Sequence, residues 1–320
     1  MSRRGETDFS AAQLRSQLRP WSAEAVSQIP AELESYRRFY GFGYETDHCM
    51  GTVESAGQSI VVQAFLPEKP VATAFVIHGY YDHVGLFVYL IEYLLSRNVA
   101  VIGCDLPGHG LSSGDRVTID SFDTYAQVIR EVTGHMRGAL PARLPDPLHL
   151  FGQSMGGSIA MELIEQGGRQ DYASVTLFAP LIYPWNWKLN RWVYRVAKLF
   201  VTTRPRSRSN PTDREEFQSL RDVDPLQAAI LPVSWVTAMV RWAERFERYP
   251  PDKSFTPGVI QGHADRVVDW PYNLDVLKRR YSPALCEINE ATHHLVNESE
   301  EIRGMMWRWL DQRLGFKEHS

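Results

Sequence analysis

Acyl transfer by a hydroxyl needs a nucleophilic serine, a base to take its proton and a carboxylate to orient that base, so the search begins with serines in a turn that can expose them. The pattern Gly-x-Ser-x-Gly occurs at Gly152-Gln-Ser154-Met-Gly156-Gly157 and again at Gly110-Leu-Ser112-Ser-Gly114. Two matches in one chain make the pattern weak alone, and context separates them. A strand before and a helix after would lift the hydroxyl above a sheet edge. Pro147–Phe151 reads as that strand and Ser158–Gln166 as that helix, whereas Ser112 sits in a Pro/Gly/Ser-rich loop. Ser154 is therefore the candidate nucleophile, set against a strand-to-helix turn without chemistry; Ser112 reads as a loop residue.

The carboxylate and the base are sought after later strands. Gly258-Val-Ile-Gln-Gly-His-Ala-Asp265 puts an acid just past a strand, while Asp269 and Asp275 fall in or near the next helix and read as solvated surface charges. The next strand leads to Thr292-His293-His294-Leu295, and spacing leaves open which imidazole faces the serine. Donors for a developing oxyanion are the backbone N–H groups of Met155 and of Tyr80, the latter in the His78-Gly79-Tyr80 turn after Ala72–Ile77. His78, Asp82 and His83 suggest a metal cluster only superficially, for no matching carboxylate or thiolate set accompanies them. His109, in Pro-Gly-His-Gly, reads as a loop-stabilising residue.

These side chains need a scaffold. From about residue 48 the chain shows short β-branched or aromatic runs, Ser59–Leu66, Ala72–Ile77, Val99–Cys104, Pro147–Phe151 and Ala173–Phe178, resumed at Pro257–Gln261 and Ala284–Ile288. Helical spacing intervenes at Leu86–Ser96, Ser121–Gly138 and Ser158–Gln166, and again near Glu298–Leu314. Alternating strands and helices predict a mostly parallel sheet covered on both faces, with the first two strands as an antiparallel edge. Between about Pro180 and Thr256 the rhythm breaks into three helical patterns, Trp185–Val201, Asp213–Arg221 and Pro232–Tyr249, without a convincing strand. Residues 1–44 read as an irregular N-terminal extension with some helix and no chemistry.

Composition bounds the rest. Apolar residues make up 44% and charged residues 22% of the chain, which excludes wholesale disorder, and a formal net charge of −4 offers no global footprint for nucleic acid. No apolar run is long enough to cross a bilayer, and the charged N-terminus leads into no apolar signal segment, so the expectation is a cytoplasmic protein. Cys49, Cys104 and Cys286 are scattered and odd in number, and read as buried small hydrophobes.

Five motifs together resemble the α/β-hydrolase superfamily, in its monoacylglycerol lipase, lysophospholipase and serine-aminopeptidase-like (S33-type) branch. They are His78-Gly79, Asp105-Leu-Pro-Gly-His-Gly-Leu-Ser-Ser-Gly114, Gly152-Gln-Ser-Met-Gly-Gly157, Asp224-Pro225 and Gly262-His-Ala-Asp265, in a stretch of roughly residues 48–314. The resemblance implies a mostly parallel eight-stranded sheet, with the core formed by residues 45–179 and 257–320 and a helical lid by residues 180–256. It implies Ser154 as nucleophile and Asp265 as acid, and picks His293 as base because His293-His-Leu-Val-Asn-Glu298 matches the family's His-x-Leu-x-x-Glu. Tyr80 stands where the family often has a small residue, so the pocket is expected to be narrowed. No cofactor or metal is implied. The expected activity is hydrolysis of a monoacyl lipid ester, a lysophospholipid or monoacylglycerol, through an acyl-enzyme. Alternatives are a small-ester esterase, a serine aminopeptidase or a ligand-binding pseudo-hydrolase. Epoxide hydrolases and dehalogenases of the fold carry Asp where Ser154 stands.

One further expectation concerns Trp185 to Arg208, which holds Lys188, Arg191, Arg195, Lys198, Arg204, Arg206 and Arg208 and no acid. Leu189, Trp192, Val196 and Leu199 share the helical spacing of the first four cations, so a helix here carries an apolar stripe beside a basic one. The apolar stripe either packs on the catalytic core or rests on an anionic membrane surface.

Overall fold

The computed structural model describes residues 4–5, 8–22, 29–206 and 214–317. In chain order the elements begin with α1 (Ala11–Gln17), α2 (Leu33–Tyr40), β1 (Asp47–Ser55), β2 (Gln58–Leu66), β3 (Ala72–Ile77), α3 (Val88–Leu95) and β4 (Val99–Cys104). There follow α4 (Phe122–Ala139), β5 (Leu148–Gln153), α5 (Met155–Glu165), β6 (Ser174–Phe178), α6 (Trp187–Ala197), β7 (Thr203–Pro205) and α7 (Glu215–Val223). The chain closes with β8 (Ile230–Pro232), α8 (Val233–Phe246), β9 (Gly258–Gly262), α9 (Trp270–Arg280), β10 (Ala284–Ile288) and α10 (Glu300–Leu314).

Eight strands form one sheet in the order β1-β2-β4-β3-β5-β6-β9-β10. Strands β3, β4, β5 and β9 are buried along their whole length, as strands covered on both faces must be; β3 pairs in parallel with β4 and β5, and β9 with β6 and β10. The antiparallel edge differs from the expected one. It consists of β1 and β2, with β2 also antiparallel to β4, and Ala72–Ile77 is a central parallel strand. Strand β1 escapes a search for apolar runs because Asp47-His-Cys-Met-Gly-Thr-Val-Glu-Ser is half polar, yet all nine of its residues register with β2. Apolar side chains of α4, α5, α8 and α9, such as Phe122, Ile159, Met239 and Leu274, cover one face of the sheet. On the other face lie those of α1, α2, α3 and α10, such as Leu14, Tyr36, Leu90 and Met306.

The strand order reverses at β3: the chain moves to β4 on one side and then to β5 on the other. At such a switch point the loops after the two strands diverge and leave a crevice beyond the sheet's carboxyl edge. His78-Gly79-Tyr80 follows β3 and Ser154 follows β5, so both border that crevice.

The N-terminal segment is more than an irregular extension. Phe9 packs edge-on against Tyr36 and Phe39, and Tyr36 and Tyr40 have no exposed surface. Gly85 is required by their approach, since a Cβ there would lie 2.7 Å from the Tyr36 hydroxyl oxygen. The stretch from 180 to 256 is helical, but β7 and β8, on either side of α7, pair as a short antiparallel two-stranded sheet where no strand is expected. Residues 207–213, with Arg208 and the start of the predicted Asp213–Arg221 helix, lie outside the described residues. Cys49 and Cys104 are buried and Cys286 is only partly so; burial pushes the Cys49 thiol up to about 11.

Candidate active site

Ser154 occupies the one-residue turn between β5 and α5, at φ 54° and ψ −114°. Such a backbone is strained for a residue with a side chain and persists only where the surroundings fix it. Phe178 O accepts from Ser154 N–H at 2.9 Å, and Ser154 O accepts from Leu181 N–H at 3.1 Å. The flanking glycines are demanded by the packing. A Cβ on Gly152 would lie 2.4 Å from Gly156 O, and one on Gly156 would lie 2.2 Å from Ile77 O, so any side chain would drive the turn off β3. The hydroxyl is thereby raised at the carboxyl edge of the sheet.

Ser154 Oγ lies 3.0 Å from His293 Nε2, and His293 Nδ1 lies 2.7 Å from Asp265 Oδ2. A carboxylate only accepts, so Nδ1 carries the proton and Nε2 is free to accept from the serine. The loop bearing His293 is held at two points. Gln153 Nε2 donates to His293 O at 2.9 Å, and Glu298 Oε1 accepts from Thr292 N–H at 2.7 Å, which accounts physically for the spacing between histidine and glutamate. Asp265, which has no exposed surface, accepts from the backbone N–H groups of Val267 and Val268 at 2.7 and 3.1 Å. Burial alone would raise its carboxyl, but His293 and those two donors hold it below the usual carboxylate range.

The neighbouring histidine has another partner. His294 Nε2 donates to Asp82 Oδ2 at 3.1 Å, and His294 Nδ1 accepts from Asn297 Nδ2 at 3.1 Å. Both nitrogens are thus engaged away from Ser154, and the Asp82 carboxyl, which burial would raise, is held low by that imidazole. Asp269 stands at the N-cap position of α9, where its backbone carbonyl but not its side chain accepts a helix N–H, and Asp275 pairs on the same helix with Arg279 at 3.2 Å. Neither meets a histidine ring. Ser112 is buried: Val61 N–H donates to its Oγ at 2.8 Å, and the hydroxyl donates to Asp105 O. It ties the loop after β4 to β2.

His78, His83 and His109 are braces. His78 Nδ1 donates to Gly79 O at 2.7 Å while its Nε2 accepts from Leu106 N–H at 2.9 Å, and burial keeps the ring below its ordinary value. His109 Nδ1 donates to Pro107 O at 2.9 Å, and burial pushes its pKa down to about 3. His83 pairs with Asp224 at 2.9 Å, and Asp224 also accepts from the Tyr40 hydroxyl at 2.8 Å. This buried chain ties the N-terminal α2 to the segment between α7 and α8. The sequence singles out Asp224 through Asp-Pro, but nothing there identifies Tyr40 as its partner.

Met155 follows Ser154 directly, and Tyr80 follows Gly79 in the turn after β3. Met155 opens α5, so its N–H has no carbonyl within the helix to meet. A Cβ added to Gly79 would lie 3.4 Å from Ser154 Cβ, which brings the turn after β3 against the candidate nucleophile. The Tyr80 side chain is fixed by its hydroxyl, which donates to Val117 O at 2.8 Å, and by stacking on Trp235 of α8 at 3.6 Å between ring centres. Ser154 and His293 open into a cavity of about 270 Å³ whose apolar wall includes Leu181, Pro184, Leu231, Trp235 and Val268. Asp82, Arg206 and Arg221 also reach it. Among the described residues no group of three His, Cys, Asp or Glu side chains is arranged to hold a metal ion.

Comparison with known proteins fits this architecture. The family described as serine aminopeptidase, S33, matches residues 68–300. The chain is similar to the monoglyceride lipase of Homo sapiens, at 26% identity over 276 residues that cover 82% of this chain and 89% of the other. Among solved structures, a soluble variant of the Saccharomyces cerevisiae monoglyceride lipase in complex with a substrate analogue superposes with a TM-score of 0.71 at 14% identity, covering 85% of this chain and 97% of that one. The Paleococcus ferrophilus monoacylglycerol lipase gives 0.66 at 19% identity, covering 79% and 98%. At these identities the structural likeness speaks for the fold.

Proposed function

Because the chain belongs to the serine aminopeptidase S33 family of α/β-hydrolases, we propose that it hydrolyses a monoacyl lipid ester through an acyl-enzyme formed on Ser154. The observation that carries this reading is the hydrogen-bonded series Ser154–His293–Asp265 at the mouth of an apolar cavity. His293 Nε2 takes the Ser154 proton as Oγ attacks the ester carbonyl, and Asp265 stabilises the imidazolium that forms. The carbonyl oxygen, now an oxyanion, takes hydrogen bonds from the Tyr80 and Met155 amides. His293 then gives its proton to the departing alcohol, and water repeats the sequence to release the acid. No cofactor enters any step.

The similarity to monoglyceride lipases supports an acylglycerol-type ester. In this reading residues 180–256 act as the lid, a role supported by Trp235, Leu231 and Arg206 lining the cavity beside Ser154. The lid also touches a membrane. Leu189, Trp192, Val196, Leu199 and Phe200 are 61–82% exposed, so the apolar stripe of α6 is not spent on the core. Arg191, Arg195 and Lys198 line a neighbouring groove, close enough to add attraction to anionic lipid. No helix among the described residues is long and apolar enough to cross a membrane, so contact would be peripheral.

The test is a matched panel of p-nitrophenyl esters, monoacylglycerols, lysophospholipids and aminoacyl amides, with Ser154→Ala as control. Serine-dependent turnover of the monoacyl esters is expected. Turnover confined to amides would favour the peptidase alternative, and ligand binding without reaction toward a fluorophosphonate would make the protein a pseudo-hydrolase.

A further inference from the structure

The cavity around Ser154 contains two cations that its apolar wall does not explain. Arg206 and Arg221 both line it, and among the described residues no carboxylate oxygen lies within ion-pair distance of either guanidinium. Arg206 is held in place by neutral partners. Its Nη1 donates to Gln227 Oε1 at 2.6 Å, its backbone N–H donates to Ala229 O at 2.9 Å, and its guanidinium carbon lies 4.0 Å above the Tyr81 ring centre. Gln227 is in turn fixed by Asp224, which accepts from its Nε2 at 3.1 Å. The anchor is therefore built from inside the fold, and it leaves the second guanidinium nitrogen, Nη2, uncommitted among the described residues.

Arg221 reaches the cavity from α7. One turn earlier on that helix, Phe217 packs on the His294 ring at 4.4 Å, which sets Arg221 beside the Asp82–His294 pair. Asp82 is the only acid among the residues lining the cavity, and it is already bonded to His294. Burial draws both arginines below their ordinary value and the charge of Arg221 adds to the effect on Arg206, while the Asp82 carboxylate nearby works the other way on both and offsets part of their charge. Both stay cationic at neutral pH. Two guanidiniums lining one partly desolvated space, Arg206 anchored within it, favour an oxyanion between them, because charge-assisted and bidentate hydrogen bonds are the strong ones. The same recess repels an ammonium group.

The two kinds of wall are arranged around the serine. Pro184 bridges to Val268, and Val268 donates to Asp265, so this part of the apolar wall sits on the side of the acid, while Trp235 stacks on Tyr80. The arginines sit on the side of Tyr81, Asp82 and His294. We infer that Arg206 and Arg221 form an anion subsite, and that the ester cleaved at Ser154 carries a negatively charged group, a phosphate or a carboxylate, on the part of the substrate opposite its acyl chain. This rests on the proposed serine esterase activity and narrows its substrate class.

The experiment uses the full chain and esters of one short acyl chain, kept below aggregation so that membrane contact does not enter. Four alcohol parts are compared: glycerol, glycerol phosphate, glycerophosphocholine and glyceric acid. Charged hydrogen bonds of this kind are worth roughly ten- to a hundredfold in affinity. The kcat/KM for the phosphate or carboxylate ester should therefore exceed that for the glycerol ester by about tenfold or more. The faster of the two anionic arms identifies the source of the charge. Arg206→Gln and Arg221→Gln should each lower the anionic-to-neutral ratio by about tenfold, with partial recovery in Arg206→Lys. Because both substrates are assayed on one preparation, the ratio does not depend on how much of a variant folds. A ratio near one in the wild type, or a ratio unmoved by both variants, overturns the subsite while leaving the esterase standing. Failure to cleave any ester in a Ser154-dependent manner overturns the underlying reading instead.

Discussion

Replacing Asp265 with asparagine tests the proposed mechanism at its least exposed point. Asp265 Oδ1 accepts from the Val267 and Val268 N–H groups at 2.7 and 3.1 Å, while Oδ2 takes the His293 Nδ1 proton at 2.7 Å. An asparagine must keep its carbonyl oxygen on the backbone side, because an NH2 group there would set donor against donor. Its NH2 then points at His293 Nδ1. The imidazole can accept that bond only by moving its own proton to Nε2, which faces Ser154 Oγ at 3.0 Å. The base is then blocked in the tautomer that cannot take the serine proton, and the imidazolium loses its counter-charge. A loss of about 10⁴ in kcat is expected, close to 5.5 kcal/mol in the barrier, with KM changed by no more than about twofold. Steady-state hydrolysis of a soluble p-nitrophenyl ester measures it. Asp269→Asn is the companion variant and should stay near the parent rate, since the Asp269 side chain neither caps α9 nor bonds to a histidine ring. A loss below about tenfold in Asp265→Asn, or equal losses in the two variants, would refute the tautomer argument.

Ser154→Ala should cost on the order of 10⁶ in kcat, whereas Ser112→Ala should keep kcat and lower stability by about 1–3 kcal/mol through the lost tie to Val61 and Asp105, measured by denaturant unfolding. His293→Ala should match the serine variant, while His294→Ala, which frees Asp82 but not Ser154, should lose stability more than rate; the reverse order in a parallel assay would exchange their roles. Thermal unfolding against pH should show a plateau built by His83 and Asp224. Burial opposes both charges, yet each partner favours the other, so Asp224 titrates below its ordinary value and His83 above its own. The carboxylate's contribution is complete above about pH 3.9 and lost as pH falls through the lower folded value; the imidazole's is complete below about pH 6.5 and lost as pH rises through the higher one. Asp224→Asn should flatten both limbs, and an unchanged profile shape would contradict the pairing. Co-sedimentation with anionic vesicles should fall when Trp192 and Leu199 are changed to serine, and also in high salt or after Arg191→Glu with Arg195→Glu, where each cation near the surface is worth about 1 kcal/mol; equal binding by all forms would leave the lid without a membrane role.

The parts of this site legible in the sequence are those set by short-range rules. Glycine at 152 and 156 marks a turn because no larger residue fits there, and the fully apolar β3, β4 and β5 read as covered strands. Asp265 and His293 were reachable because each follows a strand. What stayed hidden depends on distance along the chain. The polar β1 acquires its identity only from β2, and spacing leaves open which of two adjacent histidines faces the serine: the family resemblance chooses His293, and the contacts of Gln153 and Glu298 with its loop are seen only in the fold. Arg206 and Arg221 looked like part of a basic surface run and a lid helix, and only the fold brings them to one cavity. The same applies to Ser112, whose loop composition concealed a buried brace.

The N-terminal helices have a further consequence, in the timing of synthesis. Arg4 donates to Asn297, 293 residues later, and Tyr40 donates to Asp224, 184 residues later. On a ribosome those acceptors emerge long after the arm that donates to them, so the Arg4 and Tyr40 ties close late, whereas the partners of Phe9 and Tyr36, such as Phe39, Phe42 and Gln63, emerge early. Docking of the arm then reports that the distant parts have arrived. A nascent chain stalled before Asp224 would leave Tyr40 without its buried acceptor, a loose aromatic element of the kind that holdase chaperones grip, and completion of the chain would withdraw it.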